Sequence, residues 1–355
     1  MAVLAAFPAR SRFRGDGSRD ASVEVYSDRE MRIDGVELLE RFQEKGRDVW
    51  HYVTRGPAQD VRSLLIELSQ YGEATRAVVD RMLKDLSKPL EVPMVMGIIN
   101  ATPDSFYEGS RVGSEPVKKI EEMLDQKPDI IDVGGESTRP GSDPVPPKEE
   151  IKRLRPVVEY LTEVSDIPVS IDTRNPETLE DMLRYDIDYV NDITGFTNEA
   201  MLSLTTSADL KCIVMHMRGD PKTMQSMTDY RDVVYEVASF LQAQARKIIE
   251  VGAEPESIVV DPGLGFAKDS VQNMVLISNM ECFRFGFPLL VGASRKTFIG
   301  RITGRDVNDR LPGTIASSIF LMEKGVDILR VHDVRENRDA LRMYLAMKHF
   351  REEAS

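Results

Sequence analysis

The chain has 355 residues, 41% hydrophobic and 30% charged, enough to bury a sizeable core as one large domain or two. A formal net charge of −13 and a pI near 5.0 argue against a protein that coats nucleic acid or anionic membrane, leaving room for local basic sites that take an anionic small molecule. The two cysteines, Cys212 and Cys282, lack CxxC or His-paired spacing, so neither a disulfide framework nor a structural zinc site is expected, and Cys212, in an apolar run, reads as core.

Residues 1–20 carry Arg10, Arg12, Arg14 and Arg19, but Asp16 and Asp20 among them favour a disordered terminus over a transit peptide. From Val36 to Leu86 apolar residues recur at helical spacing: Leu38, Leu39 and Phe42, then Val61, Leu64, Leu65 and Leu68, then Val78, Val79, Met82 and Leu83. Residues 1–90 therefore read as a small, mainly helical extension, with Gly56-Pro57 between two helices and Ser87-Lys88-Pro89 as its boundary. No apolar run approaches the roughly 20 residues that cross a bilayer, so a soluble protein of the cytoplasm is expected.

Beyond Pro93, over residues 91–355, apolar runs alternate with amphipathic stretches. Strands are predicted at Met94 to Ile99, Ile130 to Val133, Val169 to Ile171, Tyr189 to Asp192, Cys212 to Met215, Ile258 to Asp261, Leu289 to Val291 and Ile328 to Val331. Helices are predicted at Lys118 to Leu124, Lys148 to Leu161, Glu177 to Leu183, Glu199 to Thr205, Tyr230 to Val251, Ser270 to Asn279, Gly313 to Glu323 and Arg335 to Lys348. Eight such units in about 260 residues match an α/β fold of the (β/α)8 TIM-barrel type. The alternative, a doubly wound open sheet, lacks its GxGxxG after the first strand.

Nearly every predicted strand ends in polar residues: Asn100, then Gly134 to Arg139, Asp172, Asn191-Asp192, His216, Asp261, Ser294-Arg295-Lys296 and Arg330 to Asp333. One Asp after a strand is usually a cap or turn residue. Eight strand ends around one barrel mouth are a binding site. Asp172, Asn191 and Asp261 offer acceptors and an amide to a hydrogen-bonding heterocycle. Arg295, Lys296, Arg330 and His332 gather basic residues at the last two strand ends, where barrels often hold phosphate. With Asn100 they would suit a diphosphate and a hard, oxygen-liganded ion such as Mg²⁺.

The stretches MGIINATPDSF, IDVGGESTRPG, SIDT, VNDI, VMHM, VDPGLGFAKD, GASRKTFIG and RVHDV, in this order, resemble dihydropteroate synthase across residues 93–350. The resemblance implies a folate-pathway transferase that condenses 6-hydroxymethyl-7,8-dihydropterin diphosphate with p-aminobenzoate, a target of sulfonamides and usually a homodimer, for which the apolar helix of Ile315 to Met322 could serve, core burial being the other reading of that helix. On the matching positions, Asp172, Asn191, Asp261 and Lys296 would bind the pterin, with Met215 and Phe266 beside it. Asn100, Arg330 and His332 would hold the diphosphate, and Asn100 would ligate Mg²⁺. Thr138, Arg139 and Pro140 would close over p-aminobenzoate, Ser294 would sit near its carboxylate, and Asp104 and Phe106 would join from the first loop. Two positions in that loop depart from the family pattern, Glu108 for the common Asp and Tyr107 for a small Ser. The alternatives are a pterin-dependent methyltransferase barrel, disfavoured by the GGESTRPG, SRK and RxHD features, and a non-catalytic paralogue, disfavoured by Lys296, Arg330, His332 and Asn100 all being present.

Overall fold

In a computed structural model of the chain, the residues described are 20–27, 33–44, 47–57, 90–101, 115–139, 141–284 and 286–353. The first three stretches are strands β1 (Asp20–Ser27), β2 (Ile33–Glu44) and β3 (Arg47–Pro57), forming an antiparallel sheet in that order. This corrects the helix predicted from Val36. Leu38, Leu39 and Phe42 fit either period over so short a run, and the β-branched and aromatic Val49, Trp50, Tyr52 and Val53 supply a strand for β2 to pair with. The helices predicted from Val61 to Leu83, and the first 19 residues, lie outside the described residues.

The second sheet is the predicted barrel. Its strands are β4 (Met94–Asn100), β5 (Ile130–Gly134), β6 (Val169–Asp172), β7 (Tyr189–Asp192), β8 (Lys211–Met215), β9 (Ile258–Asp261), β10 (Leu290–Val291) and β11 (Ile328–Val331). All pair in parallel, in the order β10-β11-β4-β5-β6-β7-β8-β9. Closure comes from one parallel bridge, Val260 to Leu289, with Val260 N donating to Pro288 O at 2.9 Å. Such strands are buried on both faces and need apolar residues at successive positions, which is why they read as runs.

Alternation along each strand sorts these residues into two sets. Met96, Ile130, Tyr189, Ile213, Val259, Leu290 and Ile328, from seven of the strands, fill the inside of the barrel. Their neighbours, among them Val95, Ile131, Val169, Val190, Cys212, Ile258 and Leu329, join the larger core shared with the helices. One step further along the strands the inward set becomes polar: Asp132, Asp172, Asn191, Asp261 and Arg330. The same periodicity thus packs the base of the barrel and places a polar layer at its C-terminal mouth.

The surrounding helices are α1 (Glu115–Asp125), α2 (Pro147–Val164), α3 (Pro176–Met182), α4 (Glu199–Ser207), α5 (Val233–Glu250), α6 (Ser270–Ser278), α7 (Thr297–Thr303), α8 (Leu311–Glu323) and α9 (Val334–Glu353). Eight fall where predicted. The ninth, α7, begins directly after Lys296, where two turns of TFIGRIT are too short to show a period. Leu154 on α2 is fully buried in the shared core. Leu154→Ala should lower unfolding free energy by about 2–5 kcal/mol in urea denaturation.

Candidate active site

Arg330 organises the mouth. From β11 it reaches past β4, its Nε 2.6 Å from Asp132 Oδ2 on β5 and its Nη2 2.8 Å from Asp172 Oδ2 on β6. Asn191 Nδ2 on β7 donates to the same Asp132 oxygen at 3.2 Å. A guanidinium spanning two carboxyl groups has the planar, forked geometry that a lysine could not provide. Asp132 is wholly buried, and its Oδ1 and the Oδ1 of Asn191 have no hydrogen-bond partner among the described residues. Buried acceptors left open in a concave mouth await donors from elsewhere.

Asp132 was not among the predicted site residues. It sits inside the apolar run IIDVG rather than at its end, and attention to strand ends alone passes over it. The available signal was a charged residue in a doubly buried strand, which is rare unless paired.

Burial governs the ionisation of the layer. Desolvation, reinforced by Asp132 and only partly offset by Arg330, pushes Asp172 up to about 7. Asp261 is also raised by burial, although Gly263 N donates to its Oδ1 at 2.8 Å and Lys296 counters the shift. Lys296 is drawn down to about 8 by burial and by Arg330, and its Nζ lies 4.2 Å from the Phe266 ring centroid, a cation–π contact. Met215 and Phe266 belong to an apolar cluster with Ile193, Met217, Met224 and Ala267 that walls this side of the mouth. Asp172, Asn191, Met215, Asp261, Phe266 and Lys296, drawn from five strand ends, are thus gathered at one end of the mouth.

At the other end Ser294 Oγ and His332 Nδ1 are 3.0 Å apart, and His332 N donates to Ser294 Oγ at 3.2 Å. The four basic residues grouped there from sequence are not four available cations. Arg295 donates twice to Asp333, at 2.9 and 2.6 Å; Arg330 is held by Asp132 and Asp172; and burial beside Arg330 and Arg295 lowers His332 to about 4, leaving a neutral imidazole at pH 7. Asn100 is exposed at the rim, where β4 ends. Among the described residues no three His, Cys, Asp or Glu side chains gather as a metal site. Thr138 is half-buried and Arg139 exposed in the second loop. Asp104, Phe106, Tyr107, Glu108 and Pro140 lie outside the described residues.

The second and third loops are tied together beneath the mouth. Arg174 pairs with Glu136 at 2.8 Å, and the fully buried Glu150 of α2 accepts from Asn175 Nδ2 at 2.7 Å and Thr178 Oγ1 at 2.6 Å. Gly135 makes this possible: a Cβ there would stand 2.9 Å from Glu150 Cγ and 3.2 Å from Glu150 O.

A family described as pterin binding enzyme matches residues 96–332, nearly the whole barrel. The dihydropteroate synthase of Synechocystis sp. is 44% identical over 245 residues, covering 68% of this chain and 85% of its own length. That of Neisseria meningitidis is 40% identical over 270 residues, covering 73% and 94% respectively. The solved Thermus thermophilus dihydropteroate synthase, in complex with 4-aminobenzoate, has a TM-score of 0.65 at 41% identity, over 73% of this chain and 95% of that one. The Yersinia pestis enzyme, in a sulfonamide drug complex, has a TM-score of 0.68 at 33% identity, over 74% and 96%. Fold, mouth and likeness define a pterin-binding (β/α)8 enzyme. Within that class the chain belongs to the dihydropteroate synthase family, transferases of folate biosynthesis.

The raised Asp172 has a consequence for stability. Between its unfolded value near 4 and its folded value of about 7 the native state binds a proton that the unfolded chain does not, so this residue favours folding increasingly as pH falls through that window. The stability of wild type relative to Asp172→Asn should therefore grow as pH is lowered from 7 to 4, with a slope of at most about 1.4 kcal/mol per pH unit in urea titrations.

Proposed function

We propose that this mouth joins 6-hydroxymethyl-7,8-dihydropterin diphosphate to p-aminobenzoate, releasing diphosphate. The observation that carries the proposal is the pair of buried, unpartnered acceptors, Asp132 Oδ1 and Asn191 Oδ1, beside Asp172 and Asp261: a planar ring rich in N–H groups satisfies all four residues at once. Met215 and Phe266 would contact the ring, and Lys296 would donate to its acceptor edge.

The diphosphate then extends toward Ser294 and His332, with Asn100 at the rim and the charge of Arg330 behind it. His332 acts here as a neutral N–H donor rather than a cation. The amide oxygen of Asn100 is a hard donor that fits Mg²⁺, an ion commonly held by one or two protein oxygens with phosphate completing its shell. When bound, Mg²⁺ would neutralise charge on the leaving group.

The step breaks the C–O bond between the pterin methylene and diphosphate, and diphosphate leaves with the electron pair. The cationic methylene that develops is favoured by the carboxylates of Asp172 and Asp261, because ring N–H donors draw both toward their ionised forms. The aniline nitrogen of p-aminobenzoate supplies the electron pair for the new C–N bond and loses its proton to solvent. It needs positioning more than activation, a role for Thr138 and Arg139 with the loop containing Pro140, and for Ser294 near the carboxylate. Asp104 and Phe106 of the first loop complete the substrate-binding set.

A homodimer is part of the reading, and the exposed Phe320 on α8 with Met343 and Met347 on α9 supports it as apolar surface on adjoining helices. A cytoplasmic, sulfonamide-sensitive enzyme fits the same reading, and no helix among the described residues is long and apolar enough to cross a membrane.

Incubation with the pterin diphosphate, p-aminobenzoate and Mg²⁺ should release diphosphate and form 7,8-dihydropteroate in equal amounts. No product above a heat-treated control would overturn the proposal. Lys296→Ala should lower turnover by about 10²-fold or more and weaken pterin binding, as loss of an electrostatic contact to the reacting ligand does.

A further inference from the structure

Lys268 takes no part in the chemistry above, yet it is 2% exposed and surrounded by acceptors. Its Nζ lies 2.8 Å from Phe266 O, 3.0 Å from Gly263 O, 3.3 Å from His216 O and 3.0 Å from His216 Nδ1. These come from two different strand ends, β8 and β9. Burial draws the ammonium well below its ordinary range and holds His216 neutral at about 2, so the imidazole can accept from the amine through Nδ1.

The convergence of carbonyls is built into the backbone. Gly263, Gly265 and Ala267 all have positive φ, at 68°, 81° and 51°, in the tight turn that brings the Gly263 and Phe266 carbonyls to Lys268, while Gly265 O accepts from Gln225 Nε2 instead. Gly263 also passes so close to His216 that a Cβ there would lie 2.2 Å from its carbonyl oxygen. This loop carries the pterin end of the mouth: Gly263 N donates to Asp261, Phe266 lies under Lys296 Nζ, and a Cβ on Gly265 would stand 3.3 Å from Lys296 Cδ.

Resting on the proposed function, we infer that Lys268 is a positioning residue: by cross-linking residues 263–266 to His216 it sets Asp261, Phe266 and Lys296 at the spacing the pterin ring requires. It acts through these residues and does not itself reach the ring.

The test is calorimetric titration of the full-length Lys268→Met variant with the pterin diphosphate, beside wild type. The expected result is at least a tenfold weaker Kd at a binding stoichiometry close to wild type, with faster amide hydrogen exchange at residues 263–267. A purely structural lysine would lower the stoichiometry, as part of the protein failed to fold, and leave Kd unchanged in the remainder; that outcome overturns the inference. If Lys268→Met is insoluble, His216→Leu removes one acceptor while leaving the lysine, and should weaken Kd several-fold; an unchanged Kd overturns the inference equally. Wild type that neither binds the pterin diphosphate nor forms product would overturn the functional reading itself, and this inference with it.

Discussion

The guanidinium of Arg330, held between Asp132 and Asp172 inside the barrel, is the constraint on which the rest of the mouth depends. A buried carboxyl group needs a partner, and here one cation serves two on adjacent strands. Breaking such an arrangement by deleting one member typically costs about 3–5 kcal/mol, because a charge is left uncompensated away from water. The clasp also crosses β4, so it fixes the mouth near the start of the barrel to its last strand. Closure on the far side relies on a single bridge between Val260 and Leu289.

Around this clasp the loops are cross-linked by long buried side chains that glycine backbone lets approach. The glycine-rich turn after β9 brings its carbonyls onto Lys268, and Gly135 allows α2 to approach until Glu150 can reach Asn175 and Thr178. Each device occupies the loop beneath a ligand-facing residue, and each needs a position where a side chain would collide. Preorganisation of this kind means the donors and acceptors already stand near their bound positions, so ligand binding does not have to order them.

The barrel was legible because its strands are short apolar runs at regular intervals, and all eight lie within a residue or so of where the pattern puts them. The polar residues that gather at the mouth were legible for the same reason, since polarity switches where the strand emerges from the core. What escaped reading was pairing. Asp132 looks like an interruption of an apolar run, and Arg295, Lys296, Arg330 and His332 look alike as a basic cluster, until their partners are known. The two-turn helix α7 is shorter than any helical period can reveal. In the N-terminal sheet, Leu38, Leu39 and Phe42 satisfied a helical template while the chain adopted strands, because period alone does not separate the two over so few residues.

The partnering of those basic residues changes how the mouth discriminates along its length. Had all four been available cations, the whole of that rim would attract anions and the diphosphate could bind in many poses. Instead Arg295 is neutralised by Asp333 and Arg330 by two carboxyl groups, while burial keeps His332 uncharged. Lys296 has its affinity for a proton lowered by burial and by Arg330, which makes its charge sensitive to what lies beside it. A ligand that places donors against Asp172 and Asp261 increases the negative charge near Lys296 and so favours its ammonium form.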